Sequence, residues 1–129
     1  MSDPCCESYG GLITIEGGGV RFQVRGDVMI EPTNREIAAE AHHDGTPYFV
    51  EKPSLYRAEF DFSAGCDSAV WEVLKRCSVN VTLVAELSGR TETHLWTGGR
   101  FTGKPKQNLS TGAISGSSYA AGKYRKLAA

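Results

Sequence analysis

Residues 11–25 read GLITIEGGGVRFQVR, and the fold turns on them. Ile13 and Ile15 fall on one side of an extended chain and Leu12, Thr14 and Glu16 on the other, the two-residue alternation of a half-buried strand. Gly17, Gly18 and Gly19 then supply the backbone freedom for a tight reversal, after which Val20, Phe22 and Val24 alternate with Arg21, Gln23 and Arg25. The stretch predicts a β-hairpin. Because the three glycines lie between strands and do not open a helix, they are turn residues and not a phosphate cradle. A third strand, Asp27 to Glu31, is expected after Gly26 and ends at Pro32, whose missing N–H suits a strand end. Together the three form an antiparallel meander.

Downstream, Tyr56, Ala58, Phe60 and Phe62 alternate with Arg57, Glu59 and Asp61, which marks a core strand. One helix is expected over Asp67 to Cys77, where Val70, Val73, Leu74 and Cys77 share a face opposite Glu72, Lys75 and Arg76, and Asp67 is placed to cap it. Val79, Val81, Leu83, Ala85 and Leu87 resume the strand pattern, and Ser88 to Arg90 turn it into a strand over Thr91 to Thr97. The Gly-, Ser- and Thr-rich remainder holds two more strands, Arg100 to Thr102 and Ala113 to Tyr119.

Thr33 to Gly45 reads two ways. Thr33 and Glu36 have capping-box spacing and Ala38, Ala39 and Ala41 favour helix. Against that, the apolar stripe is only Ile37, Ala38 and Ala41, and Asp44-Gly45 is a hairpin-turn signal followed by an extended Tyr48 to Val50. Local grounds leave helix and strand open for residues 34–41. The fold class expected is mainly β: an antiparallel sandwich or barrel with one short flanking helix and a protruding loop or β arm.

The 129 residues are 40% hydrophobic and 22% charged, with a formal net charge of −1, which describes one folded domain over residues 11–127 after a flexible polar segment, 1–10. That balance lacks the strong positive field of a tight nucleic-acid binder. The start of the sequence lacks the positive end and apolar run of an export signal, and no apolar run reaches membrane-spanning length, so a cytosolic chain with no membrane contact is expected. In that reducing compartment the cysteines, Cys5, Cys6, Cys66 and Cys77, are expected as free thiols, and a helix between Cys66 and Cys77 would hold them beyond disulfide reach.

The search for chemistry returns little. His42, His43 and the distant His94 are the candidates for a metal site with Asp44 or a cysteine, but adjacent histidines on a strand point to opposite faces, and a polar loop tip is the better reading. No GxSxG elbow is present and neither Cys66 nor Cys77 has a base beside it in sequence. Lys123, Arg125 and Lys126, with Tyr124 among them, read as a solvated basic tail. No catalytic residue, cofactor or metal is assigned, and the chain is expected not to be an enzyme.

The order of these pieces resembles the small tail tube proteins of contractile-tailed, Mu-like phages. The resemblance is carried by Val24, Arg25, Gly26 and Asp27, by Arg35 and Glu36 leading to Asp44 and Gly45, and by Tyr48, Glu51 and Pro53 before the strand ending at Phe62. It continues through Trp71 and Leu74 into Val79 to Leu87, closes with Trp96 to Gly103, and spans about Tyr9 to Leu127. The adjacent Cys5 and Cys6 and the Ser- and Gly-rich final strands depart from the pattern.

The resemblance implies a structural virion protein: hexameric rings stacked into the inner tube of the tail, assembled in the host cytoplasm. Genomic DNA would pass through the tube without specific binding. The partners implied are other copies of the chain and the sheath, tape measure, baseplate and tail terminator proteins. It also implies an extended arm over Asn34 to Ala41, with His42, His43, Asp44, Gly45 and Thr46 as a ring-stacking loop at its tip. Two alternatives stand beside it: the tube protein of a contractile secretion system, and a small β-barrel binding a ligand or metal through His42, His43 and His94.

Overall fold

The computed structural model of the chain describes residues 11–63, 69–87 and 89–128. The opening hairpin is present as β1 (Leu12–Gly17) and β2 (Val20–Glu31), with Ile15 opposite Phe22 and Gly17 opposite Val20. Gly18 and Gly19 sit at φ of 60° and 83°, and positive φ at both central residues is what the two-residue turn matching strand twist requires. The third strand of the expected meander is instead the second half of β2. Gly26, at φ 66°, bends the strand without reversing it, and the register against the next strand shifts between Arg25 and Val28. A left-handed glycine inside a strand makes a bulge, and the residues on both sides of Gly26 stay paired with the same neighbouring strand.

After β2 the chain forms β3 (Arg35–Ala41) and β4 (Pro47–Pro53), which among the described residues pair only with each other and project as an arm. The helical option for residues 34–41 is thereby overturned. Seven cross-strand pairs, from Arg35 with Pro53 to Ala41 with Pro47, outweigh the alanines' weak helical preference. β5 (Tyr56–Ser63) returns to the main sheet, and α1 (Ala69–Lys75) follows. The helix ends at Lys75, before the expected Cys77, and the capping residue proposed for it, Asp67, lies outside the described residues together with Cys66 and the segment 1–10. Its buried residues are Val70 and Val73; Trp71 and Leu74 are half-buried and Cys77 is exposed beyond its end.

β6 (Val79–Leu87) runs antiparallel to β7 (Arg90–Gln107), a single strand where two were expected. Gly98 and Gly99 do not interrupt it. A Cβ on Gly99 would fall 2.4 Å from the Tyr119 hydroxyl and 2.5 Å from the Ala120 carbonyl oxygen, so this glycine serves close strand approach. β8 (Ala113–Ala121) pairs with the second half of β7, and β9 (Lys123–Ala128) with its first half. The basic tail expected over Lys123 to Lys126 is therefore a strand. Its apolar signal is slight because its inward anchor is Tyr124, half-buried and stacked on Tyr56 with ring centroids 5.3 Å apart.

The strand order β6-β1-β2-β5-β8-β7-β9, with β6 also paired to β7, closes a six-stranded antiparallel barrel from which β9 extends as a seventh strand. Closure hides the sheet edges that an open sandwich would expose. Ile15, Phe62, Trp96, Ile114 and Tyr119 are fully buried inside. Phe22 packs edge-on against Phe60 and Phe62, and the Tyr119 hydroxyl donates to the Val79 carbonyl, which satisfies the one polar atom this side chain brings into the core.

Candidate assembly surfaces: the arm and the open end of the barrel

The arm places its side chains by strand alternation. Ile37, Ala39, Ala41, Pro47 and Phe49 share one face, since Ala39 lies opposite Phe49 and Ala41 opposite Pro47. Glu36, Lys52, Glu40 and Tyr48 take the other, where the Tyr48 hydroxyl donates to the Glu40 carboxylate; that bond pushes the phenol's pKa up. The first face also carries the exposed Arg35–Glu51 ion pair (3.7 Å), the second also Ala38 and Val50, and every position of β3 is exposed.

The tip, His42 to Thr46, is built from internal hydrogen bonds. The His42 N–H donates to the Thr46 carbonyl (2.8 Å) and the Gly45 N–H to the His42 carbonyl (2.9 Å), with Gly45 at φ 89°. Asp44 Oδ1 accepts from the Thr46 N–H (3.0 Å) and hydroxyl (2.7 Å), and these donors hold the Asp44 carboxyl below the usual carboxylate range. Thr46 also bonds His42 Nδ1 at 3.0 Å, and the His42 ring lies against Tyr48. All five residues expected to form a loop tip therefore stand together at the far end of the arm.

At one end of the barrel α1 sets Val73 against Gly18 of the β1–β2 turn, and Arg76 donates to the Gly18 carbonyl at 3.0 Å. The opposite end is an open cleft floored by Ile13, Val28, Ile30, Leu83 and Leu87. Its rim is charged. The Glu92 carboxylate is 3.4 Å from Arg90 Nε, 3.6 Å from His94 Nε2 and 3.5 Å from Lys126 Nζ, and His94 Nδ1 shares a hydrogen bond with the Tyr124 hydroxyl. His94 is only 6% exposed, and burial lowers its pKa below the ordinary histidine value against the opposing pull of Glu92.

The histidines considered as a metal set are thus divided between two sheets, with His42 and His43 on the arm and His94 inside the barrel. Among the described residues no three His, Cys, Asp or Glu side chains converge. Cys77 is an exposed free thiol; Cys5, Cys6 and Cys66 lie outside the described residues. The Glu92 cluster escaped sequence reading. Arg90, Glu92 and His94 alternate on one strand and so share a face, a visible signal, but Lys126 and Tyr124 join them only once the basic end is recognised as β9.

No family model matches this sequence, and no curated protein matches it. Among solved structures the chain is similar to Hcp1 from Flavobacterium johnsoniae, with a TM-score of 0.56 over 89% of this chain and 94% of that one, at 15% sequence identity. The likeness shows the fold: the closed antiparallel barrel with a single short helix is Hcp1-like.

Proposed function

We propose that this chain is a structural subunit which associates with copies of itself into rings, and that the rings stack into the tube of a contractile machine. The Hcp1-like architecture carries this reading, since the likeness extends over nearly the full length of both chains. It supports a tube-forming protein and, within that class, favours a secretion-type tube. The phage tail tube is the second reading, favoured by the sequence layout from Val24 to Gly103. Under it the lumen passes DNA, and sheath, tape measure, baseplate and terminator proteins are partners. Both readings take six copies per ring, assembly in the cytoplasm and no catalytic role.

The chemistry of the chain suits a conduit. A near-neutral net charge limits the phosphate contacts and counterion release that would make a polyanion stick to the wall. The arm, which buries little of itself against its own barrel, has little to lose by reaching another subunit, and its tip, His42 to Thr46, is the proposed ring-stacking loop. Negative-stain microscopy and sedimentation of the purified chain test the reading. Rings or tubes of one width are expected, and monomers alone at high concentration would refute it. Antibody labelling then separates the two sources: decoration of virion tails supports the phage reading, and decoration of tubes from cells without virions supports the secretion reading.

A further inference from the structure

The cleft at the open end of the barrel holds about 850 Å³, within the range of sites that take a small molecule. Its two sides differ in kind. Three neighbouring strands line it with aliphatic side chains alone: Ile13 from β1, Val28 and Ile30 from β2, and Leu83 and Leu87 among those from β6. The titratable side chains that line it, Arg90, Glu92, His94, Tyr124 and Lys126, all stand on β7 and β9.

Among these lining residues Glu92 is the single carboxylate, and it lies near Arg90, His94 and Lys126 at once, at 3.4, 3.6 and 3.5 Å. Each separation is longer than the roughly 2.7–2.9 Å of a well-formed charged hydrogen bond. Burial lowers the His94 pKa, which leaves that ring neutral near pH 7, so Arg90 and Lys126 are the cations of this side. Lys126 is the most open of the group, its side chain 49% exposed against 21% for Glu92 and 7% for His94. Its ammonium is the one an incoming anion meets. Tyr124 beside it is fixed by its hydrogen bond to His94 Nδ1 and by stacking on Tyr56.

A molecule that fits both sides is apolar along its length and anionic at one end. The β1, β2 and β6 side offers no ring to stack on, which favours a saturated chain over an aromatic body. Burying such a chain against Ile13, Ile30 and Leu87 removes apolar surface of both partners from water.

We infer that the open end of the barrel binds a medium-chain alkyl carboxylate, its chain against Ile13, Ile30, Leu83 and Leu87 and its carboxylate on Lys126. The site lies within one subunit, so it goes beyond the ring-and-tube reading, and its failure would leave that reading standing.

The test is calorimetric titration of the full chain near neutral pH with hexanoate, octanoate and decanoate, each below its micelle-forming concentration. One molecule should bind per chain, and each added methylene should tighten binding by about fourfold, the gain from burying it. Octanol, the same chain without the charge, should bind roughly tenfold more weakly, the loss expected for one charge-assisted contact. Lys126→Glu should melt like the parent, since exposed ion pairs contribute little, and should weaken octanoate at least tenfold while leaving octanol unchanged. Ile30→Trp, which fills the cleft, should abolish binding of both. Amide shifts induced by octanoate in the parent map the site without any substitution, and they should centre on β1, β2, β6 and β9. No saturable binding, octanol as tight as octanoate, octanoate affinity untouched by Lys126→Glu, or shifts confined to the arm would each overturn the inference. Flotation with phosphatidylglycerol vesicles in the absence of binding to the free carboxylates would make the surface a membrane contact and overturn it too.

Discussion

The barrel and the arm are written in the same alphabet of alternating apolar and polar residues, yet they end in opposite environments. In the barrel Ile15, Phe62 and Trp96 are fully buried, while in the arm Ile37 and Phe49 keep more than half of their surface in water. Alternation specifies that a face is to be covered, without naming what covers it. The barrel covers its faces by closing through the β6–β7 pairing, and stability of the subunit resides there. The arm adds a surface that the single chain leaves open. Substitutions in the two regions should therefore separate folding from assembly.

The largest effect on folding is expected at Trp96. Its side chain is fully buried, packs edge-on against Tyr119 and lies against Tyr124, so Trp96→Ala leaves a cavity that the closed barrel cannot collapse around. A loss of about 3–5 kcal/mol is expected from denaturant unfolding. The matching truncation in the arm, Phe49→Ala, should stay within about 0.5 kcal/mol of the parent, as exposed positions do. A comparable loss at both sites would erase the distinction between the two regions.

A smaller effect, conditional on pH, is expected at His94. In the folded barrel this ring is buried among Glu92, Arg90, Lys126 and Tyr124, and its pKa is lowered by burial. In the unfolded chain it titrates near the ordinary value of about 6.5. Below that pH the unfolded state binds the extra proton, so the contribution of His94 is fully present above about pH 6.5 and is lost as pH falls toward the lowered folded value. Denaturation midpoints measured from pH 7.5 to 5 should drop more steeply for the parent than for His94→Gln. Parallel slopes would show that the ring is not protected from protonation.

How far the sequence anticipates the molecule depends on whether the deciding contacts are local. The β1–β2 hairpin, β5 and β6 follow from strict alternation and from glycines at a two-residue turn, and each is found. The bulge at Gly26 and the unbroken course of β7 through Gly98 and Gly99 do not, because a glycine licenses several conformations and only the partner strand selects one. Gly99 is held by the approach of Tyr119 and Ala120, from twenty residues further on. The stretch of β9 looks like a tail in sequence because three of its residues are basic, and it is a strand because β7 supplies the pairing edge. Among the candidate surfaces the arm tip is legible in Asp44-Gly45. The face of the arm that carries Ile37 and Phe49 emerged only once β3 displaced the helical alternative, and the Glu92 cluster needed β9.

The smallest effect on folding, and a decisive one on assembly, is expected at the arm tip. His42 to Thr46 is held by its own hydrogen bonds, Asp44 to Thr46 and His42 to Gly45 and Thr46, and these partners all lie within the arm. Replacing these five residues with a two-residue Asn-Gly turn substitutes one hairpin closure for another that is well matched to strand twist. The barrel loses no packing, so the thermal midpoint should remain within about 2 °C of the parent, the shift expected when less than about 0.5 kcal/mol is lost. Tube length by microscopy should fall sharply, leaving single rings or short stacks. Tubes of normal length from the shortened arm would remove the tip from stacking, and loss of folding would show that the excursion belongs to the core.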